Sequence, residues 1–422
     1  MKLKSLRQFV FRRALLPASL VSFIPCSLVA ATFYIAPTGS DNNAGTLAAP
    51  FKSIAKAQAA ASSGDTVFIR GGIYNLDPSE IARKDNLYAC VHVINKSGIN
   101  YFAYAGEKPV FDFSAVKPSG LRVTGFFVSA AGCHFKGLEV KGVQVTITTH
   151  TGSECFRVEG SNNTFEALTL DHNMGLGLAI TRHGAANTVL NCDAFENWDS
   201  VSEGGAGGNT DGFGCHTDGA GNVFRGCRSW RNSDDGYDCI NCKGAVTFDH
   251  CWSFENGKQS KGDGNGFKVG GWGNNPATVP PSPLPVHTVS YCLSVNNKAH
   301  GFYANHQPGQ AAVWTHNTAY NHAGGDFDTL ERKADMSADI PGTKEVMHFN
   351  LAYLGKITRD YAETGSIVTD NSWTRNVTVT AADFQSLDAT QLTRPRGADG
   401  SLPAITFMHP VSGSDVVGLG CF

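Results

Sequence analysis

The chain has 422 residues, with 34 Lys and Arg against 37 Asp and Glu, a formal net charge of −3. Only 17% of its residues are charged and 47 are glycine, a composition that suits one elongated solenoid better than several compact domains. Without the first 31 residues, which hold five bases and no acid, 34 − 5 = 29 bases face 37 acids, net −8, and so acidic a chain excludes nucleic acid, whose binding relies on Lys and Arg neutralising phosphates.

Lys2, Lys4, Arg7, Arg12 and Arg13 precede an uncharged run from Ala14 to Ala31, the layout of a signal peptide. Pro17 and Pro25 argue against a permanent membrane span, and Val29-Ala30-Ala31 offers small residues for cleavage. Arg12-Arg13 leaves both general-secretory and twin-arginine export open. The expectation is a signal peptide over residues 1–31 and a single domain over 32–422, secreted to the extracellular space or the periplasm, monomeric and without a membrane partner.

Phe33 to Pro37 reads as a first strand, and Pro50 begins a helix with Phe51, Ile54, Ala55 and Ala59 at helical spacing. Ahead of the first coils of a stack, such a helix is expected to cap the open sheet ends. Strand patterns follow at Thr66–Arg70, Tyr101–Tyr104, Val110–Phe111, Phe135–Leu138 and Val143–Ile147.

From Asn163 the chain repeats itself. Gly-aromatic pairs recur at Gly212-Phe213, Gly236-Tyr237, Gly266-Phe267 and Gly301-Phe302, with Gly177-Leu178 as a weaker copy, and Gly212 to Gly236 spans 24 residues. A second marker recurs as Cys192 to Asn197, Cys227 to Asn232, Cys251 to Asn256 and Cys292 to Asn297. Short apolar pieces at a fixed period predict an all-β fold, a parallel β-helix with regular coils over about 163–330 and a C-terminal tail from Asp370 that packs on its side or caps it. The Asn series 173, 197, 232, 256 and 297 is expected to form a ladder of turn amides, and the four Cys to be buried thiols. Cys239 and Cys242 lack the second pair of a zinc site.

Stacked coils lie about 4.8 Å apart, so equivalent repeat positions become neighbours. That places Asp211 beside Asp235, and Asp238 beside Lys268, with Asp234 adjacent. Four carboxylates so close together recruit a cation, and hard oxygen donors suit Ca²⁺; Asp-Asp-Gly alone also reads as a turn. Lys268 is placed outward, as either a counter-ion or a base whose pKa a nearby cation lowers. Alternation, however, turns Asp211 and Asp235 inward unless the chain bends at the glycine. Long insertions before Gly212 and Gly266, and from Trp272 to Pro285, are expected to wall a cleft.

Three stretches, Asn209-Thr-Asp-Gly-Phe-Gly214, Asn232-Ser-Asp-Asp-Gly-Tyr-Asp238 and Asn265-Gly-Phe-Lys-Val-Gly-Gly271, resemble those of the family 9 polysaccharide lyases. Tyr34 to Asp41, Pro50 to Ile54 and Gly64 to Val67 are similar to that family's opening, and Asp383 to Leu387, Arg394 to Arg396 and Asp399 to Pro403 to its close. The resemblance implies a right-handed parallel β-helix, Ca²⁺ ligation by Asp211, Asp234, Asp235 and Asp238, Lys268 as Brønsted base, and β-elimination on pectate (polygalacturonate). Lys243, Lys298, His300 and Tyr303 are candidate substrate contacts. A lyase acting on rhamnogalacturonan or another uronate polymer, an inverting polygalacturonase using the same carboxylates without metal, and a non-catalytic glycan-binding solenoid are the competing readings.

Overall fold

In the register of the third sheet, Leu178, Phe213, Tyr237, Phe267, Phe302 and Phe327 are successive partners, one from each coil. Their rings stack down the interior, with centroids 5.3 Å apart for Phe213 and Tyr237, 4.6 Å for Tyr237 and Phe267, and 5.1 Å for Phe267 and Phe302. Each such pair adds about 0.5–1.5 kcal/mol beyond the area it buries. The Gly-aromatic period therefore records a core column.

The computed structural model describes residues 30–147, 152–201, 206–258, 261–357 and 359–422; the expected signal peptide, up to Val29, lies outside the described residues. Ala31 to Phe422 form one compact unit. Three parallel sheets run its length: 12 strands from Thr32–Ile35 to Ile367–Thr369, 10 from Gly72–Asn75 to Leu351–Tyr353, and 10 from Arg83–Lys84 to Gly325–Asp328. The chain visits the third, first and second sheets in turn, as in Glu154–Val158, Thr164–Glu166 and Thr169–Asp171, then returns to the third at Leu176–Arg182. This is a parallel β-helix. Among the described residues, the exceptions to parallel pairing between strands are the edge strand Arg83–Lys84 and the hairpin joining Glu331–Arg332 to Asp339–Ile340.

Coil stacking starts at the first strand, not near residue 163, and continues past 330 to Ile367–Thr369. The early coils lack the Cys-to-Asn marker and carry a Gly-aromatic pair at Gly125-Phe126, in register with Phe156 and Leu178, so the period read from residue 163 onward understates the solenoid. Val143 to Ile147 contributes one antiparallel bridge, Arg122 to Val145, instead of a strand.

The helix is shorter than its pattern, Ile54–Ala60, because Ser53 caps it by accepting from the Lys56 amide, while Phe51 bridges back to Ile35. It buries Ile54, Ala57 and Gln58, and leaves Ala55 and Ala59 exposed. Gln58 is tied to the strand Tyr88–Ile94 by donating 3.0 Å to the Val93 carbonyl, while its side-chain oxygen accepts from the Asn95 amide at 3.0 Å.

The asparagine ladder forms. The backbone amides of Asn173, Asn197, Asn232 and Asn256 each donate to the side-chain oxygen of the next member, at 3.1, 3.2, 3.0 and 3.0 Å. His322 ends the series, its Nδ1 accepting from the Asn297 amide at 3.2 Å. Cys192, Cys227, Cys251 and Cys292 are fully buried free thiols. The tail covers the outer face of the second sheet, where Phe384, Leu392, Phe407 and Met408 join Trp230, Trp252, Phe254 and Leu293 in a second core. Arg228 fastens it, donating to Asp193 and to the Leu392 and Arg394 carbonyls.

Candidate active site

The strands Phe213–Thr217, Tyr237–Ile240, Phe267–Gly270 and His300–Tyr303 are consecutive in the third sheet. One residue after the buried ring, register sets Gly214, Asp238, Lys268, Tyr303 and Asp328 in a row on the opposite face. Asp211 and Asp235 precede their strands, and the bend that the sequence demanded is at the glycines. A Cβ on Gly212 would lie 2.0 Å from Ser229 Oγ, and one on Gly236 would lie 2.1 Å from Ser253 Oγ. Glycine lets the backbone approach these serines, whose hydroxyls donate onward to the Gly236 and Gly266 carbonyls at 2.9 and 3.1 Å. Strand alternation begins only after that turn, which frees both aspartates to face the row.

Asp211, Asp235 and Asp238 each offer a carboxylate oxygen, and these oxygens lie within 4.8 Å of one another. All three residues are buried. Asp211 accepts from the Asp235 amide at 2.9 Å, Asp235 from the amide and side-chain nitrogen of Asn265 at 2.6 and 2.8 Å, and Asp238 from the Ile240 amide at 2.6 Å. Lys268 Nζ donates to Asp235 at 2.9 Å and lies 3.2 Å from Asp238 and 3.7 Å from Asp263. Lys268 is only 8% exposed, so although it points away from the core it is not the free surface amine that alternation implies. The carboxylates enclose it.

The electrostatics follow from this crowding. Burial, then the charges of Asp234, Asp238 and Asp235, push the Asp211 carboxyl well above its usual range. Burial, then Asp235, does the same to Asp234, and Asp235 is also raised because burial outweighs its bond to Lys268. Asp238 is lowered, since Lys268, His216 and the Ile240 amide together overcome burial. Burial alone would favour a neutral Lys268, but Asp235, Asp238, Asp234 and Asp211 outweigh it and hold the ammonium form. Hard carboxylate oxygens that resist ionisation without a cation form a donor set suited to a metal ion.

The remaining candidates divide. Asp234 stands beside the cluster, but its Oδ1 accepts from the Asp263 amide at 2.6 Å and it is not one of the three grouped carboxylates. Tyr303 is the register partner of Lys268, and the His300 ring stacks on it at 4.6 Å. Lys298 donates to the Gly262 carbonyl in the insertion that carries Asp263. Lys243 pairs with Asp218 at 2.8 Å, beyond the C-terminal end of the strand Phe213–Thr217 and outside the cluster.

The family described as Pel9A-like, right handed beta helix region matches residues 33–344. The chain belongs to that family. Pectate lyase L of Dickeya chrysanthemi is 32% identical over 92% of this chain and 85% of its own length. A solved rhamnogalacturonan lyase superposes with a TM-score of 0.87 at 39% identity, covering 93% of this chain and 99% of the other. The crystal structure of pectate lyase Pel9A superposes with a TM-score of 0.71 at 29% identity, covering 91% and 90%. This Pel9A-like chain is thus a right-handed parallel β-helix and a polysaccharide lyase, and the polygalacturonase and glycan-binding readings fall away.

Two residues of this Pel9A-like site escaped the sequence reading. Asn265 holds the repeat position of Asp211 and Asp235, two before the aromatic, and alignment on that position would have found it. Asp263 lies in an insertion, where no repeat position exists to mark it.

Proposed function

We infer that the protein is a secreted, calcium-dependent lyase that breaks a galacturonate-containing pectic backbone by β-elimination. The observation that carries this reading is Lys268, a single amine set on a sheet face among carboxylates, 2.9 Å from Asp235 and 3.2 Å from Asp238. Asp211, Asp235 and Asp238 would hold the cation, with Asp234 beside them and bound to the Asp263 amide. When bound, Ca²⁺ supplies the positive charge that neutralises the sugar carboxylate and offsets the aspartate field that keeps Lys268 protonated. Asn265, with two bonds to Asp235, fixes that carboxylate's orientation.

In a galacturonate unit the C5 hydrogen lies alpha to the carboxylate. Lys268 Nζ in its neutral form takes that proton, the C–H electrons form the C4–C5 double bond, and the C4–O4 bond breaks. Two chain segments part, one ending in an unsaturated sugar, and no water is added.

Rhamnogalacturonan is the substrate we favour, because neighbouring uronates in polygalacturonate would each need a free cation. Among the described residues, two arginines that flank the row are paired, Arg332 with Asp339 at 2.8 Å and Arg157 with Glu154 and Glu159 at 2.9 Å each, and the more distant Lys243 pairs with Asp218 at 2.8 Å. The 39% identity to a rhamnogalacturonan lyase supports the same choice. Polygalacturonate is the second reading, favoured by the 32% identity to pectate lyase L. Digestion of both polymers with Ca²⁺, followed by product analysis, tests this. Unsaturated oligomers that alternate rhamnose and galacturonate support the first, and unsaturated oligogalacturonates alone support the second. The leader of five bases and an uncharged run supports export; a precursor retained in the cytoplasm on fractionation would contradict it.

A further inference from the structure

Breaking the C4–O4 bond leaves an alkoxide that needs a proton, and Lys268, as base, cannot supply it in the same instant. Beside Lys268, one strand further on, Tyr303 holds the register position in the same row. Its hydroxyl is 3.0 Å from His306 Nε2, and His306 Nδ1 is 2.9 Å from Asp339 Oδ1. Arg332 braces the far end, with Nε 2.8 Å from Asp339 and Nη2 3.3 Å from His306 Nε2. Arg332 and Asp339 reach this place as direct partners in the antiparallel hairpin Glu331–Arg332 with Asp339–Ile340, which stands outside the three long sheets. A tyrosine, a histidine and an aspartate therefore form a chain that ends next to the base.

We propose that Tyr303 is the general acid of the elimination, giving its phenolic proton to O4, with His306 and Asp339 as positioning residues that hold the phenol oxygen. This rests on the lyase reading above. In galacturonate H5 and O4 project from opposite faces of the ring, and the two side chains lean apart accordingly. Lys268 leans toward Asp235 and Asp238 on the preceding coil, and Tyr303 toward His306.

The step balances. The C5 proton passes to Lys268 Nζ, the C–H pair becomes the C4–C5 double bond, and the C4–O4 pair leaves on O4. O4 takes the Tyr303 proton, leaving a phenolate at Tyr303 and an ammonium at Lys268. After the product leaves, water takes the proton from Lys268 and returns one to Tyr303, which restores both residues. Burial, with Asp328 nearby, keeps the Tyr303 phenol protonated well above its usual range, and burial keeps His306 neutral despite Asp339. His306 Nε2, 3.0 Å from the hydroxyl and 3.3 Å from Arg332 Nη2, holds the phenol oxygen in place, and the phenolic hydrogen turns about its C–O bond from Nε2 to O4 as charge builds there.

The test compares Tyr303→Phe with the parent on two substrates, in Ca²⁺. One is the natural polymer; the other is a synthetic galacturonide carrying 4-nitrophenoxide at C4, which leaves without protonation. Loss of a general acid costs about 10²–10⁴-fold, so on the polymer Tyr303→Phe should lower kcat by at least about a hundredfold with KM little changed. On the aryl substrate it should keep the parent rate, whereas Lys268→Ala fails on both. His306→Gln should lower kcat on the polymer by a smaller factor and be rescued in the same way. If Tyr303→Phe keeps the parent rate on the polymer, or loses the same factor on both substrates, the acid assignment is overturned while the lyase reading stands. A parent enzyme that forms no unsaturated product from any galacturonate polymer would overturn the lyase reading itself.

Discussion

Asp238 and Lys268 are direct cross-strand partners, and the Lys268 ammonium lies 3.2 Å from the Asp238 carboxylate while donating to Asp235 at 2.9 Å. The amine we propose as the base thus also neutralises the carboxylates we propose to hold the cation. Removing it has two separable consequences. Lys268→Ala should abolish turnover at every Ca²⁺ concentration. In chelator it should also lower thermal stability, because breaking a buried pair costs about 3–5 kcal/mol, and added Ca²⁺ should restore the melting temperature but not the activity. Lys268→Arg, which stays protonated, should be stable and inactive. Calorimetry with and without chelator, beside a rate assay, checks both.

The four aspartates are not equivalent. Asp211→Asn, Asp235→Asn and Asp238→Asn should each weaken Ca²⁺ binding at least about tenfold, of the order seen when a metal site loses an orienting partner. Asp234→Asn should have a smaller effect, because Asp234 Oδ1 serves the Asp263 amide. Calcium titration by calorimetry ranks them, and an Asp234 variant as damaged as Asp235→Asn would contradict the three-carboxylate site.

Gly212→Ala tests the bend. Its Cβ would sit 2.0 Å from Ser229 Oγ and 2.8 Å from Asn232 Nδ2, in a buried ladder with little freedom to move. Overpacking of this kind costs about 1–3 kcal/mol. Denaturant unfolding should show that loss, and adding Ser229→Gly should recover part of it.

Glu345 gives the fold a pH dependence remote from the site. Burial lifts its carboxyl to about 8, against the opposing bonds from Trp314 Nε1 and the Ala311 amide. The folded state therefore holds this proton more tightly than the unfolded chain, whose value is about 4.3. Stability from this group is complete below about pH 4.3 and is lost as pH rises toward 8. Glu345→Gln should flatten the melting temperature between about pH 5 and 8 relative to the parent. Parallel curves for the two proteins would contradict the assignment.

How much of this was legible in the sequence depends on where the repeat reaches. The aromatic column, the asparagine ladder and the adjacency of Asp238 to Lys268 all follow from residues at one repeat position, because stacking converts period into contact. Ser229 and Ser253 were visible in the same repeats, but their use became clear only once the Gly212 and Gly236 backbones were seen against them. Asp263 and the Arg332–Asp339 hairpin come from segments between repeats, which period cannot place. Lys268 was read as outward, which is right for its direction and wrong for its surroundings, since alternation fixes a face but not what crowds it.

Elimination under the control of a bound cation, as proposed, has a direct optical readout. Rhamnogalacturonan, or on the second reading polygalacturonate, digested with added Ca²⁺ should yield products carrying the ultraviolet absorbance of a C4–C5 double bond conjugated to the carboxylate. Chelator should abolish that signal, and fresh Ca²⁺ should restore it. New reducing ends without ultraviolet absorbance, formed equally well in chelator, would contradict the account.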